Sequence, residues 1–352
     1  MDNRQFLVCV RCMTFNHAAY ITDAMDGLCL QKTSFPYVCV ILDDASTDGE
    51  QDTIREYLRK HFVINDTDSN AHEDTDEYAL VFAQHKENAN CHFAVYFLKY
   101  NHYRVHKSKN HLTKRWQDMA QYIAICEGDD YWIDALKLQK QVSLMEENPQ
   151  VGLIHTDCHF LHQSTGEIEQ NGNDAIIEAL KLTEKAAVID TILTGEYKVR
   201  TPSVLTRNSV FQQTQKEADP FLFGPYFKMN DIQMWIGIIQ LSDVAYISEP
   251  TVMYRINDGS MSRPKKYYDD IRFQLSMKEL RIYYNQKYGY LKKEIQRIKN
   301  DYIHLLRIYR EHDSSFKGVL DIPDLYENEF QHTLFRLKNV WWHLKYNLHK
   351  IK

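Results

Sequence analysis

Two acid-rich stretches follow directly on apolar runs, which is the arrangement that brings carboxylates to the working edge of a sheet. Residues 122–126 (YIAIC) run into Glu127-Gly128-Asp129-Asp130, and residues 37–42 (YVCVIL) run into Asp43-Asp44 and then Ala45-Ser46-Thr47-Asp48. Another apolar run, 5–12 (QFLVCVRC), leads to Thr14, Phe15 and Asn16. In an open α/β sheet ligands bind beyond the carboxyl ends of the strands, so these three polar ends are expected to converge. Glu127, Asp129 and Asp130 packed in a partly dry crevice repel one another unless a cation lies among them. A donor set made only of carboxylates suits hard Mg²⁺ or Mn²⁺. Such sites leave coordination positions for substrate phosphates, which points to a nucleoside diphosphate rather than a bare carbohydrate. Asp43 and Asp44 have a separate task open to them, since a carboxylate accepts hydrogen bonds from a base N–H or a ribose hydroxyl. Helix capping is the plain alternative for both acid clusters.

The elements that must hold these residues are legible in the hydrophobic period. The run at 5–12 reads as a buried parallel strand. Asn16 then reads as the cap of a helix over 17–31, with Ile21, Ala24, Met25 and Leu28 at helical spacing. A helix after Asp48 presents Ile54, Tyr57, Leu58 and Phe62, and one after Asp130 presents Leu138, Val142 and Met145. Strands alternating with helices predict an α/β fold on a parallel sheet. Residues 65–79 hold six acids and no Lys or Arg, and are expected to form a solvated loop. The D-x-D triplets at 66–68 and 74–76 follow no apolar strand that would hold them rigid.

A second region begins near Val151, with a strand at 152–156 and a helix at 231–240 carrying Ile232, Trp235, Ile236 and Ile239. After Pro264 the composition turns to Lys, Arg and Tyr at helical spacing over 267–309. Residues 331–352 hold five basic residues and no acid, with a stripe of Leu334, Leu337, Trp341, Leu344, Leu348 and Ile351. That pattern fits a helix docked on the domain. It also fits an interfacial helix in peripheral contact with an anionic membrane, on the inner face of the cytoplasmic membrane.

The 352 residues are 44% apolar and 26% charged, enough for one large core or two ordinary ones. With 12 Gly and 8 Pro, low-complexity or linker-dominated organisation is excluded. Lys plus Arg (42) against Asp plus Glu (48) gives a net charge of −6, so no global basic field exists to hold a nucleic acid. No run approaches the roughly 20 apolar residues of a spanning helix, and the first residues lack signal-peptide features, so a cytoplasmic location is expected. Seven cysteines, mostly in apolar runs, are expected to be reduced core thiols. Cys9 and Cys12 spell C-x-x-C within a strand, where residues three apart face opposite sides and cannot chelate together.

Taken with their flanks, 10–16 followed by a helix, 40–48 (VILDDASTD) and 122–132 (YIAICEGDDYW) resemble the family 2 inverting glycosyltransferases of the GT-A (Rossmann-like) fold. The last motif, continued by 136–141 (LKLQKQ), resembles the bacterial surface-polysaccharide members. The resemblance covers roughly 5–263. It implies a catalytic domain over 1–263, with a nucleotide-binding half at 1–150 and an acceptor-binding half at 151–263, followed by a helical C-terminal extension at 264–352. It implies that Thr14, Phe15, Asn16, Asp43 and Asp44 hold the nucleotide, usually uridine. Glu127 and Asp129, with Asp130 beside them, would hold the metal, Asp129 also meeting the nucleotide's diphosphate. Asp231, in Met229-Asn230-Asp231 before a helix, matches the position of the base, where family members often have Gly-Asp or Glu-Asp. Residues 253–257 (MYRIN) resemble a Tyr-Arg-x-His element, which implies Arg255 as a diphosphate contact and puts Asn257 where the family has a metal-side His. Residues 107–110 (KSKN) resemble a loop that touches nucleotide or phosphate, implying Lys109.

The reaction implied is metal-dependent transfer, with inversion, from a nucleotide-sugar donor such as a UDP-sugar to a hydroxyl of a glycan or lipid-linked saccharide acceptor, in surface polysaccharide synthesis. Two other readings stand beside it. A sugar-phosphate nucleotidyltransferase would be expected to carry a Gly-rich loop where this chain has Met13-Thr14-Phe15-Asn16. A non-catalytic carbohydrate-binding or assembly subunit would have no need of Asp129 and Asp231 together.

Overall fold

A computed structural model describes residues 6–64, 72–223, 227–257, 264–316 and 318. Along the chain run β1 (Val8–Thr14), α1 (Ile21–Cys29), β2 (Tyr37–Asp43), α2 (Glu50–His61), β3 (Phe62–Val63), β4 (His72–Asp74), β5 (Tyr78–His85) and β6 (Cys91–Leu98). α3 (Asn110–Asp118) leads to β7 (Tyr122–Ile125), β8 (Tyr131–Trp132), α4 (Lys137–Glu147), β9 (Val151–His162) and β10 (Glu167–Glu169). Then come α5 (Ile177–Leu180), α6 (Lys185–Thr194), β11 (Leu205–Arg207), α7 (Asn208–Glu217), α8 (Asp231–Leu241), β12 (Asp243–Ile256), α9 (Tyr267–Tyr288) and α10 (Ile295–His312).

The apolar runs become parallel neighbours at the centre of one sheet, ordered β3-β5-β6-β2-β1-β7-β11-β9-β12-β8, with β4 on β5 and β10 on β9. Every residue of β2 is buried, as expected of a central parallel strand covered on both faces. Registers place Thr14 beside Asp43 and Arg11 beside Ile125, so three strand ends come level. The pairing continues past β7, where the Cys126 N–H donates to Arg11 O and the Gly128 N–H to Met13 O, each at 3.0 Å. Beyond β7 the sheet becomes mixed: β11 runs antiparallel to β7 and β9, and β12 runs parallel to β9.

The chain divides into two compact units, one of 1–218 with 231–257, the other of 219–230 with 258–352. The first is the mixed α/β sheet with its helices. The second holds α9 and α10, joined where Tyr302 donates to buried Glu279 at 3.1 Å and Lys278 meets Asp301 at 2.8 Å. The expected α/β sheet followed by a helical C-terminal region is what the structure shows. No helix among the described residues is long and apolar enough to cross a membrane. All seven cysteines are free, and six are buried.

Three local expectations need correction. The acid-rich stretch is not simply a loop: β4 includes Asp74, paired with Lys99 at 2.6 Å, and Tyr78 begins β5. A strand at a sheet edge tolerates acids because one face meets solvent, whereas the apolar run of β6 behind it is an inner strand. The first helix starts at Ile21 rather than at 17. Asn16 does not cap it, since Asn16 sits in the left-handed region (φ 57°) and a turn over 17–20 intervenes. The D-x-D at 66–68 and the basic stripe at 331–352 lie outside the described residues.

Candidate active site

The loops after β1 and β2 are laced together by a residue that sequence reasoning passed over. Glu50, in the first turn of α2, is fully buried. It accepts hydrogen bonds from the Thr14 hydroxyl, the His17 N–H (2.8 Å) and the Ser46 hydroxyl (2.8 Å). Burial raises its pKa, and those three donors pull it back. Around it the Asn16 N–H donates to Ser46 Oγ (2.9 Å), Asn16 Oδ1 accepts from the Thr47 N–H (2.8 Å), and Asp48 Oδ2 accepts from the Ala18 N–H (2.9 Å). Phe15 is half-buried between these ties. An acid opening a helix ordinarily reads as a partner of the helix dipole, which is why Glu50 gave no signal of its own.

Asp43 and Asp44 are both buried but differently employed. Asp44 accepts from the backbone N–H groups of His102 (2.7 Å) and Tyr103 (3.2 Å) and pairs with Lys109 at 2.7 Å. It therefore fixes the 101–109 loop, and Lys109 is taken up in the same task. Asp43 Oδ1 accepts from Gln51 Nε2 (2.5 Å) and the Ser46 N–H (3.1 Å), while Oδ2 is buried with no hydrogen-bond partner. A buried acceptor left open is ready for a donor from a ligand.

Across the sheet, Glu127, Asp129 and Asp130 offer carboxylate oxygens that all lie within 4.8 Å of one another. Gly128 lets them approach the β1 loop: a Cβ there would stand 2.2 Å from Thr14 Oγ1 and 2.6 Å from Thr14 Cβ. Asp130 is buried and accepts the Arg255 N–H at 2.7 Å, which ties β12 to the loop. Asn257 Nδ2 donates to Asp129 Oδ2 at 3.2 Å, so Asn257 touches the cluster through an amide. Glu127 keeps solvent access while surrounded by protein. Burial, then the charges of Asp129 and Asp231, push its pKa up to about 7, and Asp130 is held well above the carboxylate range by burial and Asp129. Three oxygen donors this close and this poorly compensated fit a hard divalent cation.

The Arg255 guanidinium is largely engaged already. It pairs with Asp23, donates to Gln163 Oε1 at 3.0 Å, and lies over the rings of Tyr20 (4.8 Å) and Tyr131 (5.0 Å). Asp231 opens α8 and accepts the Ile232 N–H at 2.9 Å. The side chain reaches solvent, yet partial desolvation by the protein around it raises its pKa, against that hydrogen bond and the charge of Arg200. Its electrostatic reach to Glu127 brings the expected base to the acid cluster. The structure thus groups Glu127, Asp129, Asp130, Asn257 and Asp231, and separately groups Thr14, Asn16 and Asp43 at level strand ends. It commits Asp44, Lys109 and Arg255 to protein partners.

No family model matches this chain. Uncharacterized proteins of Mycobacterium bovis and of two Mycobacterium tuberculosis strains are each 30% identical to it over 151 residues, 43% of this chain and 35% of theirs. The chain thus spans about a third of the length of these curated relatives. Among solved structures, S. aureus TarS 1–349 in complex with UDP-GlcNAc matches with a TM-score of 0.47 and 14% identity, over 90% of this chain and 77% of that one. The mannosyltransferase PcManGT from Pyrobaculum calidifontis, in complex with GDP-Man and Mn²⁺, matches with a TM-score of 0.48 and 13% identity, over 96% and 86% respectively.

Proposed function

We propose that this chain is a metal-dependent inverting glycosyltransferase of the GT-A type, moving a sugar from a nucleotide donor, a UDP-sugar, to a hydroxyl of a glycan or lipid-linked acceptor in surface polysaccharide synthesis. The observation that carries the reading is the cluster of Glu127, Asp129 and Asp130 within 4.8 Å, with Asp231 in electrostatic reach. Residues 1–263 form the catalytic domain in this reading. Glu127, Asp129 and Asp130 would hold Mg²⁺ or Mn²⁺, which when bound offsets the charge that develops on a leaving diphosphate. Asp43 Oδ2 accepts from a base N–H, in a pocket shaped by Thr14, Phe15 and Asn16. Asp231 takes the proton of the acceptor hydroxyl as that oxygen bonds to the anomeric carbon. The bond from that carbon to the nucleotide's phosphate oxygen breaks, and the centre inverts. A raised pKa suits a general base, which contributes roughly 10²- to 10⁴-fold.

The test is release of UDP from a panel of UDP-sugars by wild type and Asp231→Asn, with UDP affinity and melting temperature measured beside it. Asn still accepts the Ile232 N–H, so stability and UDP affinity should hold while turnover falls on the order of 10²-fold or more. EDTA should abolish turnover in the wild type. Wild-type turnover in Asp231→Asn returns that residue to a helix cap, and undiminished turnover in chelator removes the metal from the reading.

A further inference from the structure

Arg200 is a cation that forms no ion pair among the described residues, although the Asp231 carboxylate is in electrostatic reach. Its backbone is anchored, since its carbonyl accepts the Ser203 N–H (2.9 Å) and hydroxyl (2.7 Å), and the next residue but one, Pro202, accepts Trp132 Nε1 at 2.8 Å. Its guanidinium lies over the rings of Phe160 (4.9 Å) and Tyr254 (5.4 Å), which are register partners on β9 and β12 and meet edge to face at 5.9 Å. The Phe160 ring also packs closely on Gly172, where an added Cβ would stand 2.6 Å from it. The group is therefore held against two aromatic rings that are themselves packed in place. Its Nε is buried without a hydrogen-bond partner, and no carboxylate pairs with the side chain among the described residues. Arg255 and Arg207 in the same unit show the usual solution: Arg255 pairs with Asp23, and Arg207 donates to the carbonyls of Met145 and Val151. Stacking fixes the plane of a guanidinium but leaves its N–H fork unspent, and that fork matches a carboxylate or phosphate.

The location narrows the ligand. Arg200 acts electrostatically on Asp231, whereas the charges acting on Glu127 are those of Asp129 and Asp231. Asp231, the base of the proposed reading, therefore feels Arg200, while Glu127 of the acid cluster does not register it. From the stacked, unpaired guanidinium beside Asp231 we infer that Arg200 binds an oxyanion of the acceptor, so that the preferred acceptor is an anionic saccharide, a uronate or a sugar phosphate. This rests on the glycosyltransferase reading, because it takes Asp231 as the group that meets the acceptor.

The test is binding rather than turnover. With saturating UDP and Mg²⁺, ligand-observed NMR titrations would compare methyl β-glucuronide and glucose 6-phosphate with neutral methyl β-glucoside, on wild type, Arg200→Gln and Arg200→Lys. Wild type should bind at least one anionic sugar roughly tenfold or more tightly than the glucoside, as a charge-assisted contact provides. The glucuronide and the phosphate arms separate the two anion sources. Arg200→Gln should erase the preference, and Arg200→Lys, which keeps charge but loses the planar fork, should retain only part of it. UDP affinity of each variant reports that the donor side is folded. No anion preference in wild type overturns the inference, as does a preference that survives Arg200→Gln. A loss confined to UDP affinity overturns it by moving Arg200 to the donor, and a shifted pH profile with preference intact reduces Arg200 to a tuner of Asp231. Failure of the underlying reading shows separately, as absent UDP binding in wild type or full turnover in Asp231→Asn.

Discussion

Lys137 offers a quantitative test of the packing beneath the acid loop. It opens α4, is fully buried, donates to Gln141 Oε1 at 2.8 Å, and holds its Nζ 4.3 Å from the centre of the Trp132 ring. Burial lowers its pKa from 10.5 to about 7, and the charges of Cys126 and Asp134 offset only part of that. The unfolded chain keeps the proton up to the ordinary value while the folded one loses it near 7. Folding therefore carries a cost that is full below about pH 7 and is relieved as pH rises toward 10.5. At 1.36 kcal/mol per unit the whole span is on the order of 4–5 kcal/mol, of which roughly 2–3 kcal/mol falls between pH 7 and 9. Lys137→Met fills similar volume and cannot titrate. Urea unfolding of both proteins at half-unit steps from pH 6 to 9 should show the variant favoured at pH 6, with its advantage shrinking by that 2–3 kcal/mol by pH 9. The slope of the difference is the test, because Met's fit and the lost Gln141 contact change only the offset. A difference flat with pH would mean that Lys137 is solvated or neutral throughout, and the argument from burial would fail.

Two further perturbations probe how the loops are held. Gly128→Ala places a methyl 2.2 Å from Thr14 Oγ1, so the β1 loop must move; about 1–3 kcal/mol of stability should be lost, with weaker UDP binding by calorimetry. Unchanged UDP affinity would detach the Thr14 loop from the nucleotide. Glu50→Ala leaves the Thr14 and Ser46 hydroxyls and the His17 N–H without their acceptor, and should cost at least about 1–3 kcal/mol in denaturant unfolding. An unaltered unfolding midpoint would show that water replaces Glu50 there at no cost.

How much was legible depended on whether a feature is local. β1, β2, β7 and α8 follow from apolar runs and helical spacing because each carries its own period. The strand ends that carry Thr14, Asp43 and Glu127 followed from the same runs. β4 and β5 did not, because an edge strand with a solvated face reads as an acidic loop. Asn16 has the residue type that favours caps, yet the same short amide also tolerates the left-handed backbone it adopts. Partners distant in sequence were out of reach: the bond from the Arg255 N–H to Asp130 spans 125 positions, and that from Thr14 to Glu50 spans 36.

The same limit explains why two adjacent acids with one predicted role part company. Asp43 and Asp44 differ only in which way a strand end turns them, so sequence gives both the nucleotide. In the fold, Asp44 is met by two backbone N–H groups and Lys109. Glu50 is likewise met by three donors. These acids are compensated by the protein and are parts of its framework. Asp43 keeps one buried oxygen open. Asp130 has a single backbone N–H, Asp129 a single amide at 3.2 Å, and the Glu127 carboxylate has no donor among the described residues. Buried or crowded carboxylates lacking donors are costly to keep charged, and the deficit falls on one loop, the loop whose oxygens lie within 4.8 Å of one another. In the proposed reading, the acids met by the protein's own donors build the site, those left without donors are the ones a ligand would meet, and the uncompensated negative charge has the sign that a divalent cation would offset.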